Sequence, residues 1–504
     1  MFFLYFQHIV SVNFIGTCVA KTLIYNFLSA ILAILHDNLA WLKAQVGNLK
    51  STGLGPNQTE GSMVQRMSSG KCSPVRMAAA LLVPLLTAAF SLGNPTTARA
   101  EEEAYKLGLV TFLSGAAAGP FGVPARNAAE LVIEAINAGS LPTPYDSKGV
   151  AGMMVEPTII DEAGGGTKQV GEFRNLVQRK NVDAVIGYIS SGDCLAIAPV
   201  AEELKALTVF FDCGTPRIFE DNQYKYLFRT GPTSTMDNVA AARYVLEAKP
   251  NLKSVAGINQ NYAWGFDSWN DFRWALEVLK PAVAVKTEQF PKLGAGQYGA
   301  EISATMVSRP EVIHSSFWGG DMEGLVLQGG ARGLFDGTQG IFTCGETAMF
   351  RLSDQIAEGT ILGGRGPFGV YAPASPLNDW FRKNYTDRFG TPPTYPSYKM
   401  AQAILGLKAA ADKAAAAKKG KPSKEEIAVA FEGLEFQAPS GVVRMALGKG
   451  HQAVQEMVYG QFTKKNGKPE VYNVKRYPAE CVNPPDGVKS EEWIKSSLKQ
   501  TPCK

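Results

Sequence analysis

Three short turns carry the residues best suited to hold a small charged molecule: Ser190-Ser191-Gly192-Asp193, Asp212-Cys213-Gly214-Thr215 and Cys344-Gly345-Glu346. Hydroxyls at Ser190, Ser191 and Thr215, with backbone N–H groups where a turn opens a helix, favour an anion such as a carboxylate. The bland role for such Ser and Thr residues is helix capping. Glu346 brings the opposite chemistry, a carboxylate that receives a cation through charge-assisted hydrogen bonds. Catalysis is not indicated. Cys194 and Cys213 could act as nucleophiles, but no His lies in these turns. His8, His36, His314 and His451 show no metal-site spacing, and C-x-x-C is absent. So are the G-x-S-x-G elbow, the P-loop, H-E-x-x-H and the dinucleotide fingerprint. Gly164-Gly165-Gly166-Thr167 reads as a flexible strand-to-helix turn. No enzymatic activity, metal or cofactor is expected.

A strand–helix–strand unit must position the first two turns. Residues 182–189 form an apolar run long enough for a buried strand. Ala196, Pro199, Val200 and Leu204 then recur at helical spacing, and residues 207–211 are a second apolar run. The handedness of such a unit makes its strands parallel, and ligands bind beyond the carboxyl ends of parallel strands. Both polar turns fall at that edge. Upstream lie expected strands at 105–113 and 155–161, a loop of small residues at 114–122, and helices at 127–137 and from 167 to 177. Downstream, strand 226–230 runs into Gly231-Pro232-Thr233-Ser234, a crossing or cap, and helix 237–246. A second alternation follows: strands at 254–259, 282–288, 312–318 and 340–343, with helices between them. Helices at 376–389 and 398–417 come next, and residues 409–421 read as a solvated helix end. Strands 441–445 and 457–463 are expected to be antiparallel. The expected fold class is α/β, with two similar lobes, each a parallel sheet flanked by helices.

The length of 504 residues requires two or more folding units. A net charge of +4, with no dense Lys/Arg stripe, gives no case for nucleic acid. Residues 77–92 are an apolar core preceded by Lys71 and Arg76 and followed by Ala98-Arg99-Ala100. This is the pattern of a secretory signal peptide, expected at 63–100, with cleavage before Glu101. A membrane anchor is the alternative, although the core is short for a span. Cys72 precedes the core, so it is not placed as a lipoprotein cysteine. Residues 1–62 are apolar at their start and could be a true membrane span. The expectation is an over-extended reading frame, with translation starting at Met63 or Met67. Export permits disulfides. Cys194 and Cys213 follow adjacent strands and could pair, and Cys481 and Cys503 could tie down a Pro-rich tail at 479–504. Cys344 would then stay free. Separate buried thiols are the alternative at each place.

Several local patterns occur in a telling order. Leu113-Ser114-Gly115 leads to Phe121-Gly122. Val185-Ile186-Gly187 leads to Ser191, and Phe211 to Pro216 follows. Trp318-Gly319-Gly320-Asp321, Gly345-Glu346, Phe389-Gly390-x-x-Pro393 with Tyr398, and Val458-Tyr459-Gly460-Gln461-Phe462 complete the series. In this order, residues 104–478 resemble the periplasmic solute-binding proteins of branched-chain amino-acid ABC transporters, the leucine/isoleucine/valine-binding family. The resemblance implies two lobes joined by three hinge crossovers and closing on a small amino acid or related solute. Lobe 1 would be 104–230 and 361–448, and lobe 2 would be 231–360 and 449–478. It implies a periplasmic monomer with no cofactor that docks on a membrane permease.

The resemblance also places Ser191, Cys213, Gly214 and Thr215, with Ser190 beside them, at the ligand carboxylate and amine. Glu346 falls at the ligand ammonium. Phe121, Tyr262, Trp264 and Trp318 lie on or beside matching loops and could wall the pocket. Asp321 departs from the pattern, since the family commonly has an aromatic residue there. That departure keeps open a ligand with more positive charge, or a binder of amides, urea or aromatic acids. A ligand-binding sensory protein is a further alternative on the same fold.

Overall fold

The computed structural model describes residues 103–418 and 420–499. The signal-peptide region, residues 1–62 and Cys503 lie outside the described residues. The chain starts in β1 (Tyr105–Thr111), buried at every position but Lys106, as a strand covered on both faces must be. Helix α1 (Val123–Ala138) begins a turn earlier than periodicity alone suggests, because Pro124 suits the first helical turn. Gly139, at φ 65°, ends it. Then come β2 (Val155–Asp161), α2 (Gly165–Gln178), β3 (Ala184–Gly187), α3 (Ser191–Glu203), β4 (Thr208–Phe210), the short α4 (Arg217–Glu220) and β5 (Leu227–Arg229). These strands pair in parallel, with Val185 opposite Thr208 and Gly187 opposite Phe210, so the turns after β3 and β4 emerge side by side.

The chain crosses at residues 230–233 into the second lobe. There α5 (Ser234–Ala248), capped by Thr233, leads to β6 (Ser254–Ile258), α6 (Ala263–Leu279), β7 (Ala284–Gln289), α7 (Gly299–Ser308), β8 (Val312–Ser315), α8 (Gly320–Ala331), β9 (Gln339–Phe342) and β10 (Ile361–Gly363). It returns for α9 (Pro376–Phe389), α10 (Tyr395–Ala417), α11 (Lys424–Phe431), β11 (Glu435–Ala438), β12 (Gly441–Leu447) and β13 (Gln452–Val454). A last crossing gives β14 (Met457–Lys465), β15 (Lys468–Tyr477) and α12 (Ser490–Lys495).

The result is α/β with two lobes. One sheet has the order β11-β12-β13-β5-β4-β3-β1-β2 and the other β15-β14-β10-β9-β8-β6-β7. The two later crossovers fall a few residues beyond their expected places. Residues 361–363 pair with β9 and β14 in the second sheet, and Gln452 pairs with Arg229 in the first. Two further differences concern packing. The Ala-rich end of α10 is not simply solvated, because Ala410, Ala411 and Ala414 are buried. The C-terminal segment is no loose tail either. Cys481, Val482, Trp493 and Ile494 join the core of the second lobe.

Candidate functional site

Between the lobes lies a cavity walled by rings. The first lobe contributes Phe121 and Tyr395, and the second contributes Tyr262, Trp264 and Trp318. Phe121 meets Trp318 and Tyr395 edge-on, each at 5.3 Å between centroids. Trp264 Nε1 donates to Ser316 O at 2.8 Å and Trp318 Nε1 donates to the Tyr262 hydroxyl at 2.7 Å, so both indoles are fixed. Ile189, Ser191, Asp212, Gly214, Cys344 and Arg365 complete the wall. In this closed arrangement a water-sized sphere can be centred in only about 10 Å³, room for about one water molecule.

The polar side of the wall is built from the turns after β3 and β4. Ser190 caps α3, accepting from Asp193 N at 3.4 Å. Buried Glu162 accepts the N–H groups of Ile189 and Ser190 at 2.8 Å and shapes the first turn from beneath. Burial raises its pKa well above the usual carboxylate range, and the Asp193 charge adds to the shift. Ser191 Oγ accepts the N–H groups of Gly214 and Thr215, each at 3.2 Å. That tie uses the oxygen's acceptor capacity and leaves its proton to donate. Cys194 and Cys213 form a disulfide that staples the same two turns. Of the two proposed pairings, the second involves Cys503 and lies outside the described residues. Cys344 is free and buried.

Closing a loop of this length with a disulfide typically contributes about 3 kcal/mol. The Cys194→Ser/Cys213→Ser double variant is therefore expected to lose about that much stability in urea denaturation. An unchanged midpoint would show that the turns hold themselves.

At the centre stands Arg365, on the crossover after β10. Its Nη1 donates to Asp212 Oδ1 at 2.5 Å and to Asp212 O at 2.9 Å. Its Nε donates to Asp237 Oδ2 at 2.9 Å and its Nη2 to Pro232 O at 3.2 Å. The guanidinium lies 4.3 Å from the Trp264 ring centroid, in cation–π range. Lys399 Nζ donates to Asp212 Oδ1 at 2.7 Å. Burial opposes charge on Arg365, but Asp237 and Asp212 outweigh it and raise its pKa. Burial, then the Arg365 charge, push Lys399 down to about 8. Asp212 Oδ2 has no partner.

Of the residues expected from sequence, the structure brings Phe121, Ser191, Gly214, Tyr262, Trp264 and Trp318 to this cavity. Five others are used differently, Ser190 as the cap of α3. The Thr215 hydroxyl donates to Asp267 Oδ2 on α6 at 2.7 Å, an interlobe contact that Arg217 shares. Cys213 is taken by its disulfide. Asp321 accepts from Gln260 Nε2 and Gly294 N, both at 2.8 Å, outside the cavity. Glu346 accepts the Tyr395 N–H at 2.9 Å, where α10 has an open N-terminus, and packs against Gly369. Burial pushes its pKa up to about 8. Of Ser191, Thr215 and Glu346, expected at the ligand, only Ser191 lines the cavity, and the other two fasten the lobes together. Sequence reasoning missed Arg365, Lys399 and Tyr395, and it named the Asp212 turn without giving the Asp212 side chain a role. The available signal for Arg365 was a lone cation among Gly363, Gly364 and Gly366.

No curated protein matches the chain. Among solved structures, a solute-binding protein of an ABC transporter from Rhodopseudomonas palustris BisB5, in complex with 3,4-dihydroxybenzoic acid, aligns with a TM-score of 0.64 and 20% identity, over 75% of this chain and 98% of that one. A leucine-binding protein from Thermotoga maritima aligns at 0.61 and 20%, over 74% and 98%. A leucine-, isoleucine-, valine-, threonine- and alanine-binding protein from Brucella ovis in its closed conformation aligns at 0.63 and 20%, over 76% and 97%. The model of the periplasmic binding protein family matches residues 104–468, and this chain belongs to that family, one of solute binders rather than enzymes.

Proposed function

We propose that the chain is the exported, periplasmic solute-binding component of an ABC importer, and that its solute is a small aromatic carboxylic acid. The observation that carries the solute class is the wall itself. Five aromatic rings line the cleft beside donors at Ser191 and Arg365, while Glu346 takes the Tyr395 N–H outside the cavity. The rings must part to seat a solute, because the closed cleft has room for about one water. Rings favour a flat apolar body in edge or offset contact, and the donors suit a carboxylate. Burial pushes the Glu346 pKa up to about 8, and its Oε2 is already engaged by the Tyr395 N–H. A hydroxyl on the ring would give Asp212 Oδ2 the donor it lacks. Structures at the same 20% identity include one holding 3,4-dihydroxybenzoic acid and a leucine-binding protein, so the choice rests on the wall. Docking on a membrane permease follows from the family reading.

A second reading, a small amino acid, is favoured by one observation. Asp212 Oδ2, buried at the cavity wall, could receive an ammonium. A thermal-shift screen separates the two, since a ligand that binds only the folded state raises Tm. Benzoate and 4-hydroxybenzoate are expected to stabilise the protein, and leucine and valine are not. Glu346→Gln is expected to leave affinity for the acid within about threefold, because the amide oxygen still accepts the Tyr395 N–H. Stabilisation by leucine alone, lost in Glu346→Gln, would replace the aromatic acid with an amino acid.

A further inference from the structure

A roomier cavity, about 320 Å³, lies away from the cleft, beside the hinge. Its walls come from α4, the end of β5, residues 447–452 and the C-terminal segment 484–490. Arg229 lines it and is wholly buried. Arg229 Nη1 donates to Cys213 O at 3.0 Å and Thr215 O at 2.6 Å, and Nε donates to Gln452 Oε1. Nη2 has no partner, so two N–H donors of a buried cation go unanswered. Buried polar groups are rarely left so without a water, ion or ligand. No carboxylate bonds this guanidinium. Glu220, whose charge reaches Arg229 without a hydrogen bond, accepts from Ser490 Oγ, and Asp221 pairs with Lys489 at 2.6 Å. Exposed Lys449 adds a cation at the rim, bonded to Gln223 at 2.8 Å rather than to an acid.

We propose that this cavity is a second binding site, for the carboxylate of a small organic acid seated on Arg229 Nη2. Only one nitrogen of the fork lacks a hydrogen-bond partner, which fits one carboxylate oxygen. Glu220, Asp221 and Asp486 around it disfavour a doubly charged anion such as phosphate. The space exceeds what one water needs. Arg229 leads into the first crossover and Gln452 into the third, so an occupant rests against two of the three hinge strands. This site does not depend on the identity of the cleft solute.

The test is ¹⁹F NMR of trifluoroacetate added to the purified protein. Broadening of its line that excess acetate reverses is expected. Arg229→Gln should abolish it. If that variant does not fold, Lys449→Glu, at an exposed position, should weaken binding about fivefold. Trp318→Phe, in the cleft and away from this cavity, should leave it unchanged. No broadening in the native protein would show that only water fills the cavity and would overturn the proposal. So would broadening untouched by Lys449→Glu, or broadening lost in Trp318→Phe, which would place the probe in the cleft.

Discussion

Gly214→Ala is expected to cost the cleft its grip on a solute. A Cβ at this position would lie 2.3 Å from Trp264 Cζ3 and 2.5 Å from Arg365 Nη2. Neither neighbour can step aside cheaply. Trp264 is held by its bond to Ser316 O, and Arg365 by its bonds to Asp212, Asp237 and Pro232. The two contacts join different parts of the closed form, so the strain falls on closure and spares each lobe alone. Overpacking of this kind costs about 1–3 kcal/mol, or roughly five- to 150-fold in affinity. Calorimetry with 4-hydroxybenzoate, or with whichever solute the screen identifies, measures the loss. Small-angle scattering should show a more extended molecule. Affinity equal to the native protein's would mean that Gly214 does not border the solute.

Arg365→Met is expected to have the largest effect on stability. The side chain is 4% exposed and neutralises Asp212 and Asp237, which are buried as deeply. Removing one partner of a buried charge cluster typically costs about 3–5 kcal/mol, because the remaining charges stay desolvated and unpaired. Lys399 still pairs with Asp212, so the orphan is chiefly Asp237. Adding Asp237→Asn to Arg365→Met should therefore restore part of the loss, and urea denaturation of the single and double variants checks both. A single-variant loss below about 1 kcal/mol would show that water enters and solvates the cluster.

The local chemistry of particular residues decides how much of this was legible in advance. β2 and α9 fall at their expected bounds, and α9 carries its own punctuation: Ser375 caps it, Pro376 opens it and Gly390 closes it. The turns after β3 and β4 could be placed at the binding edge because parallel strands dictate it, and Ser191 and Gly214 are there. Side-chain destinations were harder. The sequence places Glu346 on the turn after β9, where a carboxylate suggests a cation acceptor. Its actual partner is a helix terminus 49 residues later in sequence. Arg365 sits in a Gly-rich crossover with no periodicity to mark it, and its role exists only once two distant acids approach. The C-terminal segment was read as a tail from its prolines. Trp493 and Ile494, spaced too closely to show a pattern, are what bury it.

The lobes meet with space for about a single water between them. A solute therefore cannot simply diffuse in. It must wait for the jaws to part, and the fraction of time spent apart scales down the apparent affinity. At high solute concentration the speed of uptake by this chain would then be set by its own breathing, and would level off instead of climbing with supply.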